Sequence, residues 1–149
     1  MIAKNSNFIR HLIRLKKHLT MNYYINKTLK NISFEEGIEK ISEALKTEGF
    51  GILTVIDLKE TLKNKLDVDF YNYKILGACN PQFAYKALQA EDKIGTMLPC
   101  NVIVQEKIKG EIEISAVDPM ASMQAVENQN LGDLAKEVRT KLENCINRV

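Results

Sequence analysis

The stretch Leu98–Val117, LPCNVIVQEKIKGEIEISAV, decides the fold. Side chains of an extended chain alternate between two faces, so Leu98, Cys100, Val102 and Val104 share one side of a strand over Leu98–Ile108. Lys109-Gly110 supplies a turn. In Glu111–Val117, Ile112, Ile114 and Ala116 then alternate with Glu111, Glu113 and Ser115. Two such runs about a short glycine-containing turn predict an antiparallel hairpin with one apolar face.

Moving toward the N-terminus, Asp69–Cys79 reads as another strand, with Tyr71, Tyr73, Ile75 and Cys79 on one side and Gly77 among them. Asn80-Pro81 after it offers an N-cap followed by proline at the first helical position, and Phe83, Ala84, Ala87 and Leu88 carry a helix to about Ala90. Gly51–Ile56 is short and apolar on both sides, which predicts a central strand. Asp57 caps a short helix bearing Leu58, Leu62 and Leu66. Upstream, Ser33 and Glu36 have capping-box spacing, and Phe34, Ile38, Ile41 and Leu45 form a helical stripe that ends near Gly49. Asn22–Leu29 is aromatic and β-branched, a first strand.

Toward the C-terminus, Asp118-Pro119 repeats the cap-and-proline pattern and opens a brief helical stretch through Val126. Asn130 is the expected cap of a long last helix with Leu131, Leu134, Val138, Leu142, Cys145 and Val149 on one stripe. One strand, a long helix, four more strands and a closing long helix make an α+β plan. The expected architecture is a largely antiparallel sheet with two long helices packed on one face.

Composition narrows the function classes. The chain has 149 residues, enough for one domain, and no apolar run of bilayer-spanning length. Three cysteines at irregular spacing are no disulfide framework and point to a reducing, cytoplasmic setting. The basic residues are unevenly placed. Residues 1–20 hold five of the 21 and no acidic residue, so residues 21–149 carry 16 basic against 19 acidic residues, a net of −3. A mildly acidic domain lacks the concentrated basic face that nucleic acid requires, and no nucleic-acid partner is expected.

The basic extension 1–20 stands apart from residues 21–149, which read as a single domain. Phe8, Leu12, Leu15 and Leu19 recur at helical spacing opposite Arg10, Arg14 and Lys17. Three readings fit it: a peripheral membrane-surface helix, a targeting segment, or an upstream extension ahead of a start at Met21. Both histidines, His11 and His18, fall here. The domain therefore has no histidine for Ser-His or Cys-His nucleophile activation or for the usual zinc sites.

Four stretches carry a family likeness. Gly49-Phe50-Gly51-Ile52-Leu53-Thr54, Leu76-Gly77-Ala78-Cys79-Asn80-Pro81, Leu98-Pro99-Cys100-Asn101-Val102 and Ala116-Val117-Asp118-Pro119-Met120 occur in the order of the signature stretches of DUF302. Over about Met21–Val149 the chain resembles that family. The resemblance implies a fold like that of the TATA-box-binding protein, β-α-β4-α, and suggests a homodimer. It implies no reaction and no particular cofactor.

The candidate ligand-binding residues are Cys79, Asn80, Pro81, Cys100, Asn101 and Asp118. Cys79 precedes a helix N-terminus, whose partial positive charge stabilises a thiolate, and Cys100 belongs to a strand that can neighbour it. Together they would serve redox or soft-metal chemistry; the other reading makes both small core residues. Asn80-Pro81, Asn101 and Asp118-Pro119 either line an anion-binding end of the sheet for a small ligand or are helix starts alone. Asp57, Glu60, Asp67 and Asp69 read as solvated charge. No acid, base and nucleophile converge, so the expected function is that of a small homodimeric binding or interaction module. The alternative is a thiol-dependent redox or soft-metal-handling protein using Cys79 and Cys100.

Overall fold

The computed structural model describes residues 22–149. The amphipathic reading of residues 1–20 lies outside the described residues. The elements in order are β1 (Tyr24–Lys30), α1 (Phe34–Thr47), β2 (Gly51–Asp57), α2 (Leu58–Leu66), β3 (Asn72–Cys79), α3 (Pro81–Ala90), β4 (Cys100–Ile108), β5 (Glu111–Val117), a one-turn α4 (Pro119–Ser122) and α5 (Gln129–Arg148). A 3₁₀ segment, Asp92–Met97, links α3 to β4. The five strands form one sheet in the order β1-β5-β4-β3-β2, and every neighbouring pair is antiparallel.

The predicted hairpin is β4–β5, with Val102 opposite Ala116 and Val104 opposite Ile114. Gly110 takes φ +80° in its turn, a left-handed value that glycine adopts without steric cost. Val102, Val104, Ile112 and Ile114 are fully buried beneath Phe34, Ile41 and Leu45 of α1 and Val138, Leu142, Cys145 and Ile146 of α5. Both long helices thus cover the same face of the sheet. Burying each Leu or Ile side chain contributes roughly 1.5–3 kcal/mol, so this layer holds the fold.

The α1 start is as its sequence predicts. The Ser33 hydroxyl accepts from the Glu36 N–H at 3.1 Å, and the Glu36 carboxylate accepts from the Ser33 N–H at 2.7 Å. Those two bonds hold the Glu36 carboxyl below its usual pKa. At the other end Gly49 sits at φ +85°.

Three expectations need correction. Strand β2 is at the edge of the sheet, not its centre. A register shift between Ile52 and Thr54 bulges it, and Leu53, Val55 and Ile56 are 68%, 59% and 46% exposed. Second, the cap of α5 is Asn128, whose side chain accepts from the Asn130 N–H at 3.1 Å; Asn130 itself lies inside the helix. Third, Asn80 holds the N-cap position of α3 without capping it. Its amide donates instead to the Glu48 carbonyl at 3.3 Å, tying α3 to the end of α1.

Candidate functional site

The residues singled out from sequence do not come together at one place. Cys79, Asn80 and Cys100 border a small apolar cleft of about 30 Å³ between the sheet and helices α3 and α5, closed by Phe50, Phe83 and Leu134. Both cysteines line it, as free thiols. Burial pushes the Cys100 thiol up to about 11, and the neighbouring Cys79 adds to the effect. A thiol raised that far carries very little thiolate at neutral pH, and the thiolate is the nucleophile and the metal ligand. Cys145, buried on α5, is likewise pushed up to about 11, chiefly by burial, and its sulfur lies 3.4 Å from the Ala44 carbonyl. Among the described residues no group of three or more His, Cys, Asp or Glu side chains converges on a metal position.

Asp118 is elsewhere. It caps the one-turn α4 by accepting from the Met120 N–H at 2.9 Å, and its other oxygen accepts from Arg139 Nε at 2.9 Å. The buried carboxylate is fully employed by those partners. A wide groove beside it, about 770 Å³ and lined by Tyr24, Lys136 and Arg139, presents cations already engaged in part. Pro81 is exposed at the start of α3, and Asn101 is exposed on the face of the sheet that bears no helix. Asp57 caps α2, and Asp67 and Asp69 pair with Lys63 at 2.8 and 3.3 Å, all near the surface.

The helix-free face carries the arrangement with the most chemistry. The alternation that buries Leu76, Val102, Ile112 and Ile114 under the helices turns Tyr73, Asn101, Ile103, Gln105, Glu113 and Ser115 to the other side. Such positions on a one-sided sheet are ordinarily wet. Yet Gln105 and Ser115 are only 6% and 5% exposed. Both serve one carboxylate oxygen: Gln105 Nε2 donates to Glu113 Oε1 at 2.9 Å and Ser115 Oγ donates to it at 3.2 Å. The Tyr71 hydroxyl lies 3.3 Å from Gln105 Oε1 and extends the chain.

Aromatic rings wall this network. Phe70 stacks on Tyr71 with ring centres 4.1 Å apart, and Tyr71 and Tyr73 lie 6.0 Å apart. Tyr23 and Tyr24 meet edge to face at 4.9 Å on the β1 side. Between these walls is a groove of about 510 Å³ whose lining includes Tyr23, Tyr71, Tyr73, Ile103, Glu113 and Ser115. That volume lies within the range of small-molecule sites. Burial raises the Tyr73 phenol above its ordinary pKa, with Tyr71, Tyr23 and Glu113 adding to it. The phenol therefore stays a neutral hydrogen-bonding group at physiological pH.

Sequence reasoning noticed the shared face of Tyr71 and Tyr73 but missed the groove. Its polar members come from β4 and β5, where alternation marks them as solvent positions. Gly77, in the same face, is boxed in: a Cβ there would sit 2.2 Å from Thr54 Oγ1 and 2.8 Å from Pro99 Cγ. The close approach of β2 and of Pro99, just ahead of β4, requires glycine here.

No curated protein matches the chain. A solved structure of an uncharacterized conserved DUF302 protein from Bacillus stearothermophilus is similar, at 29% identity and a TM-score of 0.78, over 86% of this chain and 98% of that one. The family model for the domain of unknown function DUF302 matches residues 25–149. The chain belongs to that family.

Proposed function

We propose that this protein is a small-molecule binding module whose site is the helix-free face of its sheet. The observation that carries the reading is the Gln105–Glu113–Ser115 network, in which Gln105 and Ser115 are buried and bonded to one Glu113 oxygen on a face no helix covers. Burying polar groups costs free energy unless they are paired, and a folded chain gains nothing from drying them on an otherwise open surface. A preformed, aromatic-walled groove with a few oriented polar groups is the form that ligand sites take. Binding without catalysis fits it, since the groove brings a carboxylate, phenols and amides together but no activated nucleophile.

The test is ligand-observed NMR with a library of small soluble fragments. The groove reading expects hits that disappear in Ser115→Trp, whose indole would fill the groove, while that variant keeps its far-UV circular dichroism. Hits that persist in Ser115→Trp would refute it.

Strand β2 supports a second part of the reading, that the module works as a homodimer. Leu53, Val55 and Ile56 on β2, with Leu66 and Val68 after it, are exposed apolar side chains, and α2 buries no residue at all. An exposed apolar edge strand is a template for pairing with another chain. A second copy meeting it edge to edge would place β2 at the centre of a continuous sheet, matching its two-sided apolar composition. The expected mass in sedimentation equilibrium is twice the 17.0 kDa of the chain, falling to one chain in the Leu53→Lys, Val55→Lys double variant. A monomeric native protein at tens of micromolar would end the dimer proposal. The element order also fits the TATA-box-binding-protein-like plan, and three free cysteines fit a cytoplasmic setting. No helix among the described residues is long and apolar enough to cross a membrane.

A further inference from the structure

The chemistry of the groove points to its ligand class, and this inference rests on the binding reading above. Glu113 is the only carboxylate among the side chains that line the groove. Its Oε1 is fixed by two donors, Gln105 and Ser115, which aim the group and leave Oε2 without a hydrogen-bond partner among the described residues. Tyr23, Tyr71 and Tyr73 line the same groove and bring aromatic rings and phenols to it. Lys107 reaches the groove from β4 but makes no ion pair with Glu113 among the described residues.

We propose that the groove binds a small organic ammonium ion, with Glu113 as its counter-charge and the tyrosine rings as its walls. The ring faces of tyrosines are electron-rich and attract a cation that has shed part of its water, and several rings around one charge add their attractions. A carboxylate already held in place by neutral donors loses little freedom when the cation arrives. An anionic ligand would meet Glu113 and the phenol oxygens at close range. A purely neutral one would leave the aimed oxygen unused.

Three probes of nearly equal size separate these cases: choline, its neutral isostere 3,3-dimethyl-1-butanol, and butyrate. Each is titrated into the full chain labelled with ¹⁵N, following the amides of Tyr73, Gln105 and Glu113. Choline is expected to bind about tenfold or more tightly than the neutral isostere, with butyrate weakest. Glu113→Gln, which keeps an oxygen to accept from Gln105 and Ser115, should abolish the preference for choline. Tyr73→Leu should weaken choline while sparing the isostere. Equal binding of choline and isostere, tighter binding of butyrate, or an unchanged preference in Glu113→Gln overturns the ammonium assignment and leaves the groove reading intact. Failure of all three probes together with the whole fragment library overturns both.

Discussion

Leu142→Ala is expected to lower the free energy of unfolding by about 3 kcal/mol. Leu142 is fully buried on α5, in the layer that joins Ile41 and Leu45 of α1 to the sheet. Removing its outer carbons forfeits their transfer from water and leaves a cavity. The surrounding groups are a helix on one side and a hydrogen-bonded sheet on the other, neither of which collapses easily into the space. Urea titration at one fixed protein concentration measures the effect: the midpoint should drop while the slope stays the same. Tyr85→Ala is the control. That residue is 65% exposed, so its loss should change stability by no more than about 0.5 kcal/mol. A loss for Leu142→Ala as small as that of Tyr85→Ala would contradict the packing described above.

The second large effect comes from a glycine. Gly37 lies inside α1, where glycine is about 1 kcal/mol worse than alanine, so something else must keep it there. A Cβ on Gly37 would lie 2.6 Å from Ile112 Cγ2 and 3.6 Å from Val104 Cγ1. Both neighbours are fully buried in the middle of the sheet and have nowhere to move. Glycine lets α1 approach β5 more closely than any side chain would allow. Gly37→Val should therefore cost about 3 kcal/mol, through overpacking rather than a cavity. The same substitution at Gly132, in α5 with no atom near its would-be Cβ, should fall within about 0.5 kcal/mol of the parent. Thermal unfolding of the pair checks this directly, and equal melting temperatures would show that α1 has room to spare.

Much of the fold was legible in the sequence because its decisive signals are local. The Ser33–Glu36 capping box, the left-handed Gly49 and the alternation of Ile112, Ile114 and Ala116 each act within a few residues. Errors arose where the outcome depends on distant partners. Asn128 and Asn130 are equivalent caps by residue type, and the start of α5 falls two residues before its expected place. Asn80 looks like a cap from its neighbours, yet the Glu48 carbonyl, thirty-two residues upstream, claims its amide. Strand β2 reads as central because it is apolar on both sides, yet it is the edge strand and Leu53, Val55 and Ile56 are exposed.

The candidate site was less legible for the same reason. Cys79 and Cys100 line one cleft, but burial pushes the Cys100 thiol up to about 11. The groove draws its walls from β1 and β3 and its polar floor from β4 and β5. Each contributor looks unremarkable alone: a glutamate and a serine on the wet side of a hairpin, a glutamine midway along a strand. Only the pairing of Tyr73 with Gln105 and of Gln105 with Glu113 across adjacent strands assembles them. One sequence signal pointed that way, the placing of Tyr71 and Tyr73 on a single side. The same side holds Asn101, a residue singled out for other reasons.

The proposed binding face of the sheet is tested most directly by a crystal structure of the protein soaked with the fragment hits. The account predicts difference density between the rings of Tyr71 and Tyr73 and the Glu113 carboxylate, with the Gln105 and Ser115 side chains unmoved. Density confined to the cleft at Cys79 and Cys100, or to the surface beside Arg139, would contradict it.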